Sequence, residues 1–272
     1  MKIRSLVAVI ACSTVSLACT AQTAITPQWI EAQLHGRIVL LRGRYDGPRL
    51  RFDAQGHLEG QADQLPFGLS ALRLDKVKVT DSEVRIDATR EGLEFPITAS
   101  KPGVDAWPWD RSDTVKILIA WNPAQPDELR TAVGNIFAAE LDADLVKDAP
   151  ACWQPWLLSR QNNQQVLPPE TTYPGARPPG SGVTAPKLLY AANPGFSAAA
   201  RELHYQGIAV IGLIVDATGK PQEVHIVWAL GMGLDEEAVA AVEQYRFAPA
   251  KFKGKPVAVQ INVEVDFRMR SW

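Results

Sequence analysis

The sequence predicts an α+β protein with two folded parts, and three observations support this fold class. Short apolar stretches with alternating periodicity, separated by turn residues, occupy the first half of the chain, as is typical of antiparallel strands. A proline-rich stretch interrupts this pattern at residues 161–186. After it come two strands, a helix with acidic residues in its first turn, and a last strand with strict apolar alternation.

The first folded part, predicted at residues 25–160, has the pattern of a mainly antiparallel β domain. Candidate strands lie at 37–45, 50–52, 72–79, 84–86 and 115–121. Clusters of turn residues separate these strands and predict hairpins. A helix is expected to begin at Pro126, because Asp127 and Glu128 occupy its first turn and apolar residues repeat after them with helical spacing. Nothing in this part indicates a ligand.

Residues 161–186 are predicted to form a linker. Prolines stand at positions 168, 169, 174, 178, 179 and 186, and glycines stand at 175, 180 and 182. Such a composition buries too little apolar surface to fold by itself, and it favours extended, polyproline-like backbone. The linker therefore predicts a boundary between the first part and a second domain at residues 187–270.

The first 21 residues have the pattern of a secretory signal peptide. A basic start precedes an apolar run at 6–18, and small residues follow at 18–21. The run is too short and too polar for a good membrane-spanning helix, which needs about 20 apolar residues. This favours export with cleavage over a retained membrane anchor. Cleavage is also favoured over lipidation at Cys19, since Ser16 stands where an aliphatic residue is expected.

Composition and motifs exclude several classes of function. The formal net charge is −2, so the chain lacks the basic excess of a nucleic-acid-binding surface. The four histidines have no metal-ligand spacing, and no nucleophile elbow or phosphate-binding loop occurs. We therefore expect no catalytic residue, no metal and no cofactor, in a protein that is not an enzyme. His204 and His225 are expected on the surface of the second domain, and Cys152 is expected to be a buried small hydrophobe.

The second domain is predicted from an ordered set of elements. A short helix is expected at 196–203, a strand covered on both faces at 208–215, and a strand at 224–228, with a helix starting at Leu234. The last strand directs these side chains inward: Val257, Val259, Ile261, Val263, Val265 and Phe267. The intervening side chains face outward, so one face of this strand is covered: Ala258, Gln260, Asn262, Glu264 and Asp266.

Several motifs in this region resemble the C-terminal domain of TonB energy transducers. In chain order they are 193–197 (NPGFS), Arg201, Gly207, 215–219 (VDATG), 231–235 (GMGLD), 245–250 (YRFAPA) and 254–257 (GKPV). The resemblance covers residues 187–269 and says nothing about the first domain. It implies a small antiparallel sheet packed on helices, located in the periplasm.

The resemblance also implies a binding site. In the TonB family this domain grips a short segment of outer-membrane transporters, the TonB box, which adds as a strand beside the last strand. The family has a Tyr-Pro pair near this segment and a polar residue three places before the tyrosine. Phe196 and Ser197 replace the pair here, and Asn193 holds the polar position. The predicted partner-binding residues are Asn193, Phe196, Ser197, Val257, Val259, Gln260, Ile261, Asn262 and Val263.

These features favour a periplasmic protein-binding module of the TonB type. We expect it to contact an outer-membrane transporter or another envelope protein by β-strand addition, in TonB-dependent transport. Two alternatives remain open. One is a membrane-anchored energy transducer, in which the N-terminal segment is retained. The other is an envelope structural protein, whose first domain binds an unidentified ligand and whose last strand forms a homodimer.

Overall fold

The structure is a computed structural model that describes residues 26–95, 105–108, 113–161, 173, 175–177, 180 and 182–269. The predicted signal peptide and residues 162–172 of the predicted linker lie outside the described residues. Helices and mostly antiparallel sheets both occur, which confirms the predicted α+β class. The chain divides into two compact units, one of Met1–Leu65 and Leu69–Glu140, the other of Pro66–Gly68 and Leu141–Trp272.

The first unit is built on a seven-stranded sheet. Its elements are α1 (Pro27–Leu34), β1 (Ile38–Leu41), β2 (Arg49–Phe52), β3 (Ala71–Val79), β4 (Glu83–Glu94), β5 (Asp105–Pro108), β6 (Thr114–Ala120), α2 (Pro126–Ile136) and β7 (Phe137–Ala138). The strand order is β2-β6-β4-β3-β1-β7, and β5 pairs with β4 outside this path. Among these described strands only the β2–β6 pair is parallel. The sheet is therefore mainly antiparallel, as the sequence predicts.

Sequence periodicity accounts for the core of the first unit. Along β6, Val115, Ile117 and Ile119 are fully buried, while the residues between them are exposed or half-buried. Helix α2 begins at the predicted proline and buries Leu129 in the same apolar cluster. Strand β1 ends earlier than the sequence predicts, because the chain turns through Arg44, whose φ is +52°.

The second unit contains three small sheets and four helices among its described residues. Its elements are α3 (Ala143–Asp148), α4 (Gln154–Gln161), β8 (Val183–Thr184), β9 (Lys187–Tyr190), α5 (Ala198–Glu202), β10 (Gly207–Val215), β11 (Pro221–Trp228), α6 (Leu234–Glu243), β12 (Arg246–Ala248), β13 (Ala250–Phe252), β14 (Lys255–Val257) and β15 (Val259–Phe267). The sheets have the orders β11-β10-β15, β12-β9 and β14-β13-β8, and all their pairs are antiparallel.

Helices α4 and α6 pack against β11 of the three-stranded sheet, and α6 also packs against β10. Trp153 directly precedes α4 and Trp156 lies within it, and their buried rings meet edge to face with centroids 5.6 Å apart. Glu236 of α6 accepts a hydrogen bond from the Trp153 indole Nε1 at 2.7 Å and another from the Phe67 N–H at 2.6 Å. Residues 141–160 were predicted to belong to the first domain, whereas in the structure they belong to the second unit, with α3 and α4.

Two details of the three-stranded sheet differ from the sequence prediction. Strand β10 is not covered on both faces throughout, since Ile208 is 41% exposed. The predicted surface position of His225 is wrong, because this side chain is buried. Glu223 has a φ of +48° and the β10–β11 register shifts nearby, which breaks the alternation of β11 and turns the imidazole inward. The ring Nδ1 lies 2.8 Å from the Glu223 carbonyl oxygen, whereas His204 is exposed as expected.

Candidate functional site

Strand β15 lies at the edge of the sheet β11-β10-β15. It pairs with β10 along its whole length, from Val259 opposite Val215 to Phe267 opposite Gly207, without a register shift. In the part of the chain that the structure describes, no second named strand pairs with β15. We call the side away from β10 the outer edge of β15. Its backbone N–H and C=O groups form the candidate binding surface.

A hydrogen bond of Gln260 shows which backbone groups lie on the outer edge. Its N–H donates to the carbonyl oxygen of Arg177, at 3.4 Å, and therefore points away from β10. Backbone groups of successive residues in an antiparallel strand alternate between its two sides. Asn262, Glu264 and Asp266 therefore also present their N–H and C=O groups on the outer edge.

The same alternation divides the predicted partner-binding residues of the last strand into two groups, according to the side on which their backbone groups lie. Gln260 and Asn262 present their backbone groups on the outer edge, as strand addition requires. Val259, Ile261 and Val263 instead direct theirs toward β10, with which they are in register. The backbone groups of these three residues therefore hold β15 against β10 and are not available to a partner strand.

Val257 was predicted as part of the last strand, and the structure places it elsewhere. It lies in β14, opposite Ala250, and Ala258, which belongs to neither strand, separates β14 from β15. Ala258 is buried, although the alternation predicted an outward side chain. Glu264 and Asp266, which offer outer-edge groups, were absent from the predicted set. The alternation of side chains along this strand is visible in the sequence, and the backbone groups alternate with the same period.

The three predicted residues ahead of the sheet lie in different environments. Asn193 is exposed, and Phe196 is half-buried with its ring perpendicular to that of Phe267, at a centroid distance of 5.4 Å. Phe196 thus lies beside the C-terminal end of β15. Ser197 is buried and caps α5, since its Oγ accepts the N–H of Ala200 at 3.0 Å. Contact of these residues with a partner stays a prediction.

One residue of the predicted linker lies against the beginning of the outer edge. The N–H of Arg177 donates to the carbonyl of Ala258 at 3.0 Å, and the Arg177 carbonyl accepts the N–H of Gln260. This is a parallel bridge between Arg177 and Val259. The bridge was not predicted, because a proline-rich composition carries no signal for a single pairing residue.

The far end of the outer edge is acidic. Glu264 and Asp266 have exposed side chains, and Nε of Arg268 lies 2.7 Å from Oδ2 of Asp266. Exposed ion pairs of this kind contribute little to stability, so Arg268 holds Asp266 weakly. A partner strand with basic side chains at this end would be favoured electrostatically.

The described residues include no group of three or more His, Cys, Asp and Glu side chains arranged to hold a metal ion. None of the described helices combines the length and the hydrophobicity needed to cross a bilayer. Cys152 is a free, half-buried thiol, and burial, followed by the nearby Glu236 carboxylate, raises its pKa to about 12. A thiol held in its protonated form is a poor nucleophile.

Comparison with known proteins finds matches to a family model and to solved structures. Residues 192–269 match the model of the family described as Gram-negative bacterial TonB protein C-terminal. The solution NMR structure of the Pseudomonas aeruginosa TonB C-terminal domain matches with 20% sequence identity and a TM-score of 0.27, over 35% of this chain and 93% of that one. A search of curated proteins finds no significant relative.

Proposed function

With a TonB C-terminal domain at residues 192–269 as the premise, we propose that this protein is a periplasmic protein-binding module of the TonB type. Domains of this family are interaction modules of the cell envelope that contact outer-membrane transporters, and they are not enzymes. The resemblance found in the sequence is thus confirmed for this part of the chain. The proposed partner is an outer-membrane transporter or another envelope protein, bound in TonB-dependent transport.

The outer edge of β15 carries this proposal. From Asn262 to Asp266 it offers backbone donors and acceptors at regular spacing, on a strand that β10 holds in register along its length. An extended partner segment satisfies such groups by adding as a further strand. Phe196 is half-buried and lies against Phe267, the last residue of β15, and Asn193 is exposed three residues earlier in the chain. They are the proposed side-chain contacts.

Binding is tested by NMR titration of the protein with a short synthetic peptide that carries the TonB box of an outer-membrane transporter. We expect the amide signals of Asn262 and Glu264 to shift, because their N–H groups lie on the outer edge. Asn262→Pro removes one outward N–H without removing a hydrogen bond to β10, so binding should be lost while the sheet persists. Asn262→Ala keeps that N–H and is the matched control.

Equal peptide affinities of the Asn262→Pro and Asn262→Ala variants would exclude strand addition at this edge. Ile261→Pro is a different change, because the Ile261 N–H faces β10 and its loss disrupts the sheet itself. The contrast between positions 261 and 262 therefore separates binding from folding.

Homodimer formation through the same edge is the competing function of this surface. Sedimentation velocity of the wild-type chain and of Asn262→Pro over a range of concentrations distinguishes the two. A concentration-dependent dimer that disappears in the variant, without any peptide binding by the wild-type chain, would favour the structural alternative. The anchored-transducer alternative depends on residues 1–21, and mass spectrometry of the mature N-terminus tests whether this segment is retained.

A further inference from the structure

We propose that the outer edge of β15 already has an occupant, the Arg177 segment of this same chain, and that an external strand must displace it. The Arg177 segment is defined as residues 175–177. The inference rests on the proposed function, since it concerns the edge that the transporter segment would take. Beyond that function, a segment of the chain itself competes for the edge, and the external strand is preferred when it carries a particular type of side chain.

The backbone contacts have the form of strand addition. The Arg177 N–H donates to Ala258 at 3.0 Å and its carbonyl accepts from Gln260 at 3.4 Å, so residue 177 bonds to the two residues that flank Val259. One residue bonded to both neighbours of its opposite residue is the hydrogen-bond pattern of a parallel ladder. The Arg177 segment therefore runs parallel to β15.

The side chain of Arg177 also makes a specific contact, with the ring of Phe252. Its guanidinium carbon lies 4.2 Å from the centroid of the Phe252 ring, within the range of a cation–π contact. Phe252 belongs to β13, and a second cation, Lys253 Nζ, lies 5.5 Å from the same ring. The ring thus forms a platform for cationic groups beside the start of β15.

Strand β8, which starts six residues after Arg177, pairs with β13, the strand that contains Phe252. Val183 pairs with Phe252 and Thr184 with Lys251, and the Lys251 N–H donates to the Thr184 hydroxyl at 2.9 Å. Because β8 is anchored this close in sequence, the Arg177 segment faces the edge at a high effective concentration, on the order of millimolar for a short tether. A weak external strand competes poorly against such an occupant.

The geometry of these contacts also predicts the direction and the side-chain preference of an external strand that displaces the Arg177 segment. A displacing strand runs parallel to β15 and continues past Gln260 to the groups of Asn262 and Glu264, which the Arg177 segment does not reach. An arginine or lysine opposite Val259 would take the place of Arg177 over Phe252. The preferred partner is therefore an extended segment with a basic residue at its N-terminal end.

Amide hydrogen exchange of the whole chain tests the resident contact without any external partner. Arg177→Pro removes the N–H that donates to Ala258, and we expect exchange at Gln260 to become at least about tenfold faster, because its N–H loses a stable acceptor. Exchange at Ile261, which faces β10, should stay unchanged and show that the sheet is intact. Phe252→Leu removes the ring from under the guanidinium and should accelerate Gln260 exchange in the same direction.

A peptide of residues 173–184 supplied separately tests the displacement. It should bind the Arg177→Pro chain at least about tenfold more tightly than the wild-type chain, whose edge is occupied by a tethered copy. Replacing its Arg177 by Gln should weaken binding about threefold, as expected for loss of an exposed cation–π contact. Equal peptide affinities for the two chains, or equal Gln260 exchange rates, would overturn the proposal.

The two proposals fail in different ways. If the TonB-box peptide binds neither the wild-type chain nor Arg177→Pro, the transporter-binding function is wrong, while faster Gln260 exchange in the variant would still establish the resident strand. If the TonB-box peptide binds both chains equally, binding at the edge stands and the competition is wrong.

Discussion

The hydroxyl of Ser197 joins helix α5 to Met232, in the loop that precedes α6. Its Oγ donates to the Met232 carbonyl at 2.5 Å and accepts the N–H of Ala200 at 3.0 Å, while the side chain is buried. A proline, which the TonB family has at this position, supplies neither contact. The serine thus has a role within the domain fold, next to Phe196 and its contact with β15.

Ser197→Ala should destabilise the protein by about 1–2 kcal/mol, because it removes a helix cap and leaves a buried carbonyl without its donor. Urea denaturation followed by circular dichroism measures the change. Ala198→Ser, at the adjacent exposed position, keeps the cap and should change stability by less than about 0.5 kcal/mol. A Ser197→Ala variant as stable as this control would show that the two hydrogen bonds contribute nothing net.

Gly219 should not tolerate a side chain. It has a φ of +87°, a Cβ there would overlap the Phe247 carbonyl oxygen, and its own carbonyl accepts the Phe247 N–H at 2.9 Å. We expect Gly219→Ala to cost roughly 3 kcal/mol or more, since it combines backbone strain with displacement of β12. Thermal unfolding measures the loss.

Gly254 provides the matched control for this substitution. Its φ is +79°, and among the described residues, apart from its two chain neighbours, no heavy atom lies within 4 Å of the position that an added methyl group would take, so Gly254→Ala meets only the conformational penalty. That penalty is about 1–2 kcal/mol. Equal losses at positions 219 and 254 would contradict the role assigned to the contact with Phe247.

Asp216 should contribute to stability in a pH-dependent way. Burial tends to raise its pKa, but hydrogen bonds from Thr218, Lys220 and Gln222 outweigh this and lower it. A lowered pKa in the folded state means that the stabilisation is complete above the unfolded-state pKa of about 3.9 and is lost as the pH falls through the folded-state value. The carboxylate therefore stabilises the turn at neutral pH.

The expected measurement is the difference in unfolding free energy between the wild-type chain and Asp216→Asn as a function of pH. It should be about 1–2 kcal/mol at pH 7 and should shrink as the pH falls below about 4, because the wild-type carboxyl is protonated first in the unfolded state and, at lower pH, in the folded state. Asp266→Asn, at an exposed position, is a control for the general effect of removing a charge. A difference that does not depend on pH would show that the Asp216 charge is not involved.

Cys152 should react slowly with alkylating reagents. Burial, reinforced by Glu236, raises its pKa to about 12, so the thiolate is scarce at pH 8. We expect iodoacetamide to modify it at least about 100-fold more slowly in the folded chain than in urea, as followed by mass spectrometry of the peptide that contains it. Similar rates in the two conditions would contradict its half-buried, protonated state.

Several features of the fold were predictable because they depend on local patterns. The alternation of β6 and the start of α2 at Pro126 follow from side-chain periodicity and from the acidic first turn. Features that depend on distant residues were missed. His225 is buried because a bulge in β11 turns it inward, and Glu236 accepts hydrogen bonds from Trp153 and Phe67 in addition to occupying the first turn of α6.

The order and periodicity of residues along the chain were enough to predict the fold class and the last strand, and the resemblance of its motifs to a known family was enough to predict the TonB-type domain. Which backbone groups of that strand are offered to a partner depends instead on strand pairing in three dimensions. Strand β10 takes the groups of Ile261 and Val263 and leaves those of Asn262 and Glu264 outside. The position of Arg177 on the same edge is likewise a tertiary property, because it is a contact between residues distant in sequence that no local pattern encodes.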